Sequence, residues 1–403
     1  PRAEDTVQAL ARGAHLASLP PKGPVFVSLP MDDWTAEVDE AEVEHAIARS
    51  VSGRASPDPV VIKEVAKRLA AAENPVLVAG PDVDAAGAWG DTVALAERQK
   101  LPVFASPAPG GGRLGFPEGH PLFQGVLPPA IGPVAQTLEG RDFILVLGSS
   151  VFPYYPYIPG PLLPEGASLV AITSDPDEAA RAPMGEAILA DVGLAVAALL
   201  AEVGEADRAE PAALPDPTPG EESEPLSPTM VHNTLAGVFP EDGIVVLESP
   251  SSTLALRNQL RLSHPGSYYF GAGGGLGFGL AAAIGVQIAQ PQRPVVCVLG
   301  EGSAQYAISG LWSAVAYDVP VTFLVLRNEE YAILKWFADI EEVKGAPALD
   351  LPKLDVSAVA EGYGVSAAEV SGREQLREAL AKAISSEKPS LVEVGVSPGM
   401  ALF

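Results

Sequence analysis

Cysteine is nearly missing from this sequence: Cys297 is the only one in 403 residues, so an internal disulfide is impossible. Its place inside an apolar run predicts a packed, inert thiol. Uninterrupted apolar runs of membrane-spanning length are also lacking, since the run from Ala187 is broken by Asp191 and Glu202, and no spanning helix is expected. Positive charge is scarce. Lys and Arg number 25 against 51 Asp and Glu, a formal net charge of −26, which repels phosphate backbones and anionic lipid surfaces and argues against nucleic-acid and membrane partners. A cytoplasmic location is the resulting expectation. Neither "GAGGGLGFG" (271–279) nor "GEGSAQ" fits G-x-G-x-x-G in register, and no P-loop occurs, which disfavours those two modes of nucleotide binding.

What is present is a globular chain too long for one hydrophobic core. Residues 1–34 read as an amphipathic helix, with Val7, Leu10, Ala11 and Ala14 on one face, and a strand over 24–30; because one helix and one strand cannot bury a core, they are expected to be the tail of a domain that begins earlier. A loose stretch, 35–57, follows. In 58–203, apolar runs at 75–80, 102–106, 143–148 and 168–173 alternate with helical patterns, which predicts parallel strands joined by crossovers. Residues 204–228 are rich in Pro and Glu and read as an exposed linker. From 229 to 403, runs at 244–249, 294–300, 321–328 and 390–396 repeat the alternation. The expected class is α/β: two doubly wound parallel-sheet domains plus the C-terminal remnant of a third.

Two strand ends carry hard oxygen donors. Glu301 follows the run 294–300 between two glycines, and Asn328 closes the run 321–327. If those strands are parallel neighbours, both side chains emerge at the carboxyl edge, where open α/β sheets bind ligands. A helix starting near Ser303 would offer free N–H groups to a phosphate. A carboxylate beside a phosphate needs a cation between them, and Mg²⁺ fits that demand. Glu301 could equally be a helix-capping or solvated loop residue. The glycine run suits backbone approaching a flat ligand, or simply tight helix–strand packing.

Taken together, "GSYYFGAGGGLGFGLAAAIGVQ", "VLGEGSAQYAISGLWSA" and "RNEEYAILKWF" resemble the thiamine-diphosphate-dependent decarboxylases, nearest to the branch that acts on benzoylformate; "GPVFVSLPMDDW" (23–34), "GPDVDAA" (80–86) and "DPDEAARAPMGEAI" (175–188) extend the likeness. The resemblance implies non-oxidative decarboxylation of a 2-oxo acid to an aldehyde and CO₂, with thiamine diphosphate and Mg²⁺ as cofactors. It also implies a homodimer or homotetramer with active sites between subunits. The segment 1–34 corresponds to the end of the family's pyrimidine-binding domain, 58–203 to its central nucleotide-binding-like domain and 229–403 to its diphosphate-binding domain. Gly300, Glu301 and Gly302, then Arg327 and Asn328, stand at the family's cofactor motif. The implied Mg²⁺ ligands are the side chains of Glu301 and Asn328 and the backbone carbonyl of Glu330. Ser251 and Ser303 would hold the diphosphate, with Gly302 and Tyr331 beside them. Leu276 would support the cofactor's folded conformation, and the Gly274 carbonyl would accept from its aminopyrimidine. His120 is the implied proton-transfer residue; His15, His45, His232 and His264 are given no role. Ile333, Leu334 and Phe337 would line the substrate pocket, although spacing alone reads Leu334 and Phe337 as core. Ile333 replaces a smaller residue, which implies less room for a phenyl ring.

Three departures accompany the likeness. The activating glutamate belongs to a part of the pyrimidine-binding domain that this chain does not carry, so the chain as given is not expected to activate the cofactor. Glu301 replaces aspartate and is longer by one methylene. Arg327, Glu329 and Glu330 replace Asn, Gly and a small polar residue, and a carboxylate facing the diphosphate at about 4 Å would cost roughly 1–4 kcal/mol. A structural or regulatory homologue without cofactor, or an aldehyde carboligase, are the alternatives.

Overall fold

The computed structural model describes residues 3–107, 112–152, 156–220, 222–352 and 354–401. Six strands, β1 (Val76–Ala79), β2 (Val103–Ala105), β3 (Phe123–Val126), β4 (Phe143–Leu147), β5 (Ser168–Thr173) and β6 (Glu186–Leu189), form a first sheet in the order β3-β2-β1-β4-β5-β6. A second sheet, in the order β11-β12-β10-β9-β7-β8, is made by β7 (Ile244–Glu248), β8 (Tyr268–Phe270), β9 (Val295–Gly300), β10 (Thr322–Arg327), β11 (Ser366–Val370) and β12 (Ser390–Gly395). Every pairing is parallel.

Helices cover both faces, which is why the central strands are unbroken apolar runs. Alternation along each strand sorts its side chains to opposite sides. In β1, Leu77 and Ala79 join one core and Val76 and Val78 another. In β7, Val245 and Leu247 face one core, while Ile244 and Val246 face the other. Cys297 is buried in β9, as its apolar surroundings predicted. Helix starts follow local chemistry: Ser227 accepts from Met230 N ahead of helix Pro228–Ala236, and Asp58 accepts from Val60 N ahead of helix Pro59–Ala71, each with proline in the first turn. Among the described residues no helix is long and apolar enough to cross a membrane.

Two expectations change. The run 24–30 is not a strand: no described strand pairs with it, and a strand exists only through its ladder. The helix expected to start near Ser303 starts at Glu301 and ends at Gln305, and a separate one follows over Gly310–Ala316. The second of these packs so closely on helix Gly279–Ala289 that a Cβ at Gly310 would stand 2.6 Å from Leu280 Cδ2. The segment 204–228 is mostly exposed, and it is tied to the body where Gln99 donates to the Gly204 carbonyl, Gln124 to Ala212, Arg261 to Pro215 and Gln259 to Thr218.

The two sheets are clasped directly. Arg257 donates to Glu118 through Nε at 2.8 Å and through a terminal nitrogen at 2.5 Å, with both side chains buried. Asp84 receives Arg113 at 2.8 Å and the Gly266 amide at 3.2 Å. Paired charges of this kind hold an interface only while both partners remain, and removing one leaves a buried charge worth about 3–5 kcal/mol of destabilisation.

Candidate active site

In the second sheet the chain leaves β7 for β8 on one side and for β9 on the other, so a crevice opens beyond the carboxyl ends of β7 and β9. A cavity of about 770 Å³ lies there. Glu301, Asn328, Glu330, Ser251, Gly274, Leu276, Gly302, Ser303, Tyr331, Ile333, Leu334 and Phe337 all line it. The opposite wall is Leu127, Pro128, Pro129, Ala130 and Pro133 from the first sheet's half of the chain.

The register Leu326↔Gly300 puts the ends of β9 and β10 side by side. Glu301 is 2% exposed, and its Oε1 accepts from the Asn328 amide at 3.2 Å and the Glu329 amide at 2.6 Å. Its extra methylene therefore spans from one strand end to the next. Burial pushes its carboxyl above the ordinary range, opposed by these amide bonds and by Arg327. Asn328 Oδ1 accepts from the Glu330 amide at 3.2 Å. Bonds from Tyr331 N to the Leu349 carbonyl and from Leu351 N to the Glu329 carbonyl, both 2.8 Å, then fix the loop. Glu329 sits at φ 60°, a strained conformation for a residue with a side chain. Among the described residues no group of three or more His, Cys, Asp or Glu is arranged to hold a metal; the implied ligand set contains one acidic side chain, an amide oxygen and a carbonyl.

The added charges of the loop are matched. Arg327 reaches Glu329 at 3.0 Å, Glu369 at 2.7 Å and Glu393 at 2.9 Å. Glu330 pairs with Lys335, which also holds Asp350 at 2.6 Å, and its other oxygen accepts from the Gly399 amide at 2.7 Å. Neither glutamate is left as an uncompensated charge on the cavity wall.

Four glycines show what the wall requires. A Cβ at Gly302 would stand 2.7 Å from the Tyr331 ring, whereas at Gly273, Gly274 and Gly275 it would meet nothing within 4 Å. The latter three present bare backbone to open space. Glu248, at the end of β7, grips this loop by accepting from the amides of Gly277 at 2.6 Å and of Gly279. Burial raises its carboxyl, and those amide bonds oppose the shift. Sequence reading missed Glu248 because no glycines flank it, although it ends its strand as Glu301 follows β9. Trp336, Tyr306 and Met400 also line the cavity without having been anticipated.

His120 is the exception among the expected residues. It lies outside the cavity lining, its Nδ1 accepting from the Leu122 amide at 3.2 Å, its Nε2 3.3 Å from Glu97 and its ring edge-on to Phe116. Both nitrogens have partners within this chain, one of them in helix Trp89–Gln99, and the proton-transfer role that the resemblance implies for His120 stays a proposal.

Comparison with known proteins places these observations. Residues 251–394 match the thiamine pyrophosphate enzyme C-terminal TPP binding domain, and residues 62–199 match the thiamine pyrophosphate enzyme central domain. The benzoylformate decarboxylase of Pseudomonas aeruginosa is 48% identical over 393 residues, 97% of this chain and 74% of that protein. The sulfoacetaldehyde acetyltransferase of Rhodobacter capsulatus is 28% identical, over 97% of this chain and 71% of that protein. Among solved structures, the thiamine diphosphate-dependent 4-hydroxybenzoylformate decarboxylase of Rhodococcus jostii RHA1 superposes with a TM-score of 0.95 at 42% identity, covering all of this chain and 76% of that one. The benzoylformate decarboxylase of Polynucleobacter necessarius gives 0.95 at 36% identity, with the same coverage.

Proposed function

The chain belongs to the thiamine pyrophosphate enzymes, and we propose that it serves the thiamine-diphosphate- and Mg²⁺-dependent decarboxylation of a benzoylformate-type 2-oxo acid to an aldehyde and CO₂. The observation that carries this reading is the convergence of Glu301, Asn328 and a bare-backbone glycine loop on one cavity at the switch point of the second sheet.

The residues present fit the coenzyme. Gly273 to Gly275 leave room for a flat ring system to lie against backbone. The hydroxyls of Ser251 and Ser303, without a hydrogen-bond partner among the described residues, suit a diphosphate. Glu301, Asn328 Oδ1 and the Glu330 carbonyl are the hard oxygens that Mg²⁺ selects, and they would hold it. When bound, thiamine diphosphate supplies the carbon nucleophile and the electron sink for loss of CO₂. The chain's own share is positioning and desolvation. Leu276 and Gly274 would seat the ring system, Gly302 and Tyr331 keep the diphosphate loop in shape, and Ile333, Leu334 and Phe337 give the substrate an apolar, water-poor wall.

The proposed domain limits are 58–203 and 229–403, joined by 204–228 after the segments 1–34 and 35–57; family matches over 62–199 and 251–394 support the two larger ones. A homodimer or homotetramer is part of the reading. It is supported by Phe26 and Met31, apolar side chains that are 92% and 83% exposed.

Supplying the protein that carries this chain with Mg²⁺, thiamine diphosphate and either benzoylformate or a branched aliphatic 2-oxo acid tests the assignment. Stoichiometric benzaldehyde and CO₂ are expected. A marked preference for the aliphatic acid would reassign the substrate, and no turnover of either would reject the decarboxylase reading.

A further inference from the structure

His232, unused by any role so far, is wholly buried in helix Pro228–Ala236, and its Nε2 lies 3.0 Å from Ser252 Oγ. Ser252 Oγ lies 2.9 Å from Ser249 Oγ. Both serines belong to the cavity wall. The register Glu248↔Leu299 sets Ser249 beside Gly300, at the switch point itself and next to Glu301. Three polar side chains thus run in a line from the protein interior to the coenzyme cavity.

The direction of this line is decided at its buried end. His232 Nδ1 has no hydrogen-bond partner. Burial pushes the ring's pKa down to about 3, so the imidazole is neutral and carries a single N–H. A proton on Nδ1 would be a buried donor without an acceptor, which folded proteins avoid more strictly than an unused lone pair. The proton therefore sits on Nε2 and is donated to Ser252 Oγ. Ser252 must then turn its own hydrogen elsewhere. The Ser249 carbonyl is 3.5 Å away and already accepts from the Ser252 amide at 3.1 Å and Thr253 Oγ1 at 3.3 Å; the Ser249 hydroxyl, at 2.9 Å, is the better acceptor. Ser249 Oγ, accepting from behind, is left with its own hydrogen free for the cavity.

We propose that His232, Ser252 and Ser249 form a polarity-setting relay that fixes the Ser249 hydroxyl as a hydrogen-bond donor to an anionic oxygen of the bound diphosphate. His232 is a positioning residue acting through Ser252. The inference rests on the coenzyme reading given above and adds to it a donor and the buried group that orients it.

Long-range ¹⁵N–¹H correlation spectra of the wild-type protein read the tautomer directly, and the Nε2–H form is expected. Calorimetric titration with thiamine diphosphate and Mg²⁺, and separately with inorganic pyrophosphate and Mg²⁺, reads the donor. Ser249→Ala and Ser252→Ala should each weaken both ligands about tenfold, the loss of one hydrogen bond to a charged group. Ser252→Thr, which keeps the hydroxyl, should bind like wild type. His232→Phe should weaken binding in the same direction, and His232→Gln, whose amide N–H can stand near the Nε2 position, should recover most of the loss. An Nδ1–H tautomer, or unchanged affinity in Ser249→Ala while wild type binds, overturns the relay alone. A wild-type protein that binds neither ligand overturns the coenzyme reading and the relay together.

Discussion

The two sheets have the same plan and opposite fates at their switch points. In the first, the chain turns back between β1 and β4, where a Cβ at Gly80 would stand 2.3 Å from the Gly148 carbonyl oxygen and one at Gly115 would stand 2.4 Å from the Gly80 carbonyl oxygen. The Asp82 amide closes the gap with a 3.0 Å bond to that same Gly148 carbonyl. In the second, the ends of β7 and β9 open onto about 770 Å³. Glycine serves both, as a means of sealing backbone against backbone in one and of leaving backbone bare in the other. Topology therefore locates a possible ligand site, and local packing decides whether one exists.

Substituting those glycines should give the largest effect. Gly80→Ala meets backbone on the far side of the seam and should cost at least about 3 kcal/mol or prevent folding. Gly273→Ala meets nothing and should leave unfolding within about 0.5 kcal/mol of wild type, while weakening coenzyme affinity. Chemical denaturation of both variants checks the pair; equal costs would erase the contrast.

Charge sharpens it next. Glu301→Gln keeps an oxygen for the Asn328 and Glu329 amides but removes the negative charge, so Mg²⁺-dependent coenzyme binding should fall roughly a hundredfold with the fold intact. Calorimetry against the wild type reads this, and equal affinity would deny Glu301 its metal. Smaller again is the effect at the apolar wall. Ile333→Ala should raise kcat/KM for benzoylformate relative to a branched aliphatic acid by about tenfold, the worth of a few methylenes, as competition kinetics would reveal.

The sealed crevice should answer mainly to pH. Asp82, beside Gly148, has its pKa raised to about 6 by burial, then by Glu178 and Asp175, with Arg113 opposing. Folding favours its protonated form. Its contribution to stability is thus greatest below the ordinary carboxylate range and is lost as pH rises through about 6. Asp82→Asn should lack that loss and gain about 1 kcal/mol at neutral pH after screening by water. Melting temperatures from pH 4 to 8 would show it, and parallel curves for the two proteins would remove Asp82 from the account.

How much of this was legible in sequence divides along the same lines. The interior strands announced themselves because burial on both faces demands continuous Val, Ile and Leu. β3, β6, β8 and β11, all at sheet edges, did not; Glu186–Leu189 and Ser366–Val370 are mixed in polarity and mostly exposed or half-buried, so no apolar run marks them. Glu301 and Asn328 were readable as donors at strand ends. Glu248 occupies a similar place but was missed, since only the folded chain shows which amides it grips. His120 was named from the resemblance alone, because its partners in this chain, Glu97 and Leu122, are set by tertiary packing that periodicity does not encode. The apolar wall from Leu127 to Pro133 depends on how the two halves dock, which periodicity does not encode.

The central claim is that the open switch point binds a diphosphate coenzyme through a metal. Titrating thiamine diphosphate into the protein by calorimetry, once with saturating Mg²⁺ and once with the metal chelated, tests it most directly. Saturable binding of one coenzyme per chain that vanishes on chelation is the expected result; no binding, or binding indifferent to the metal, would contradict it.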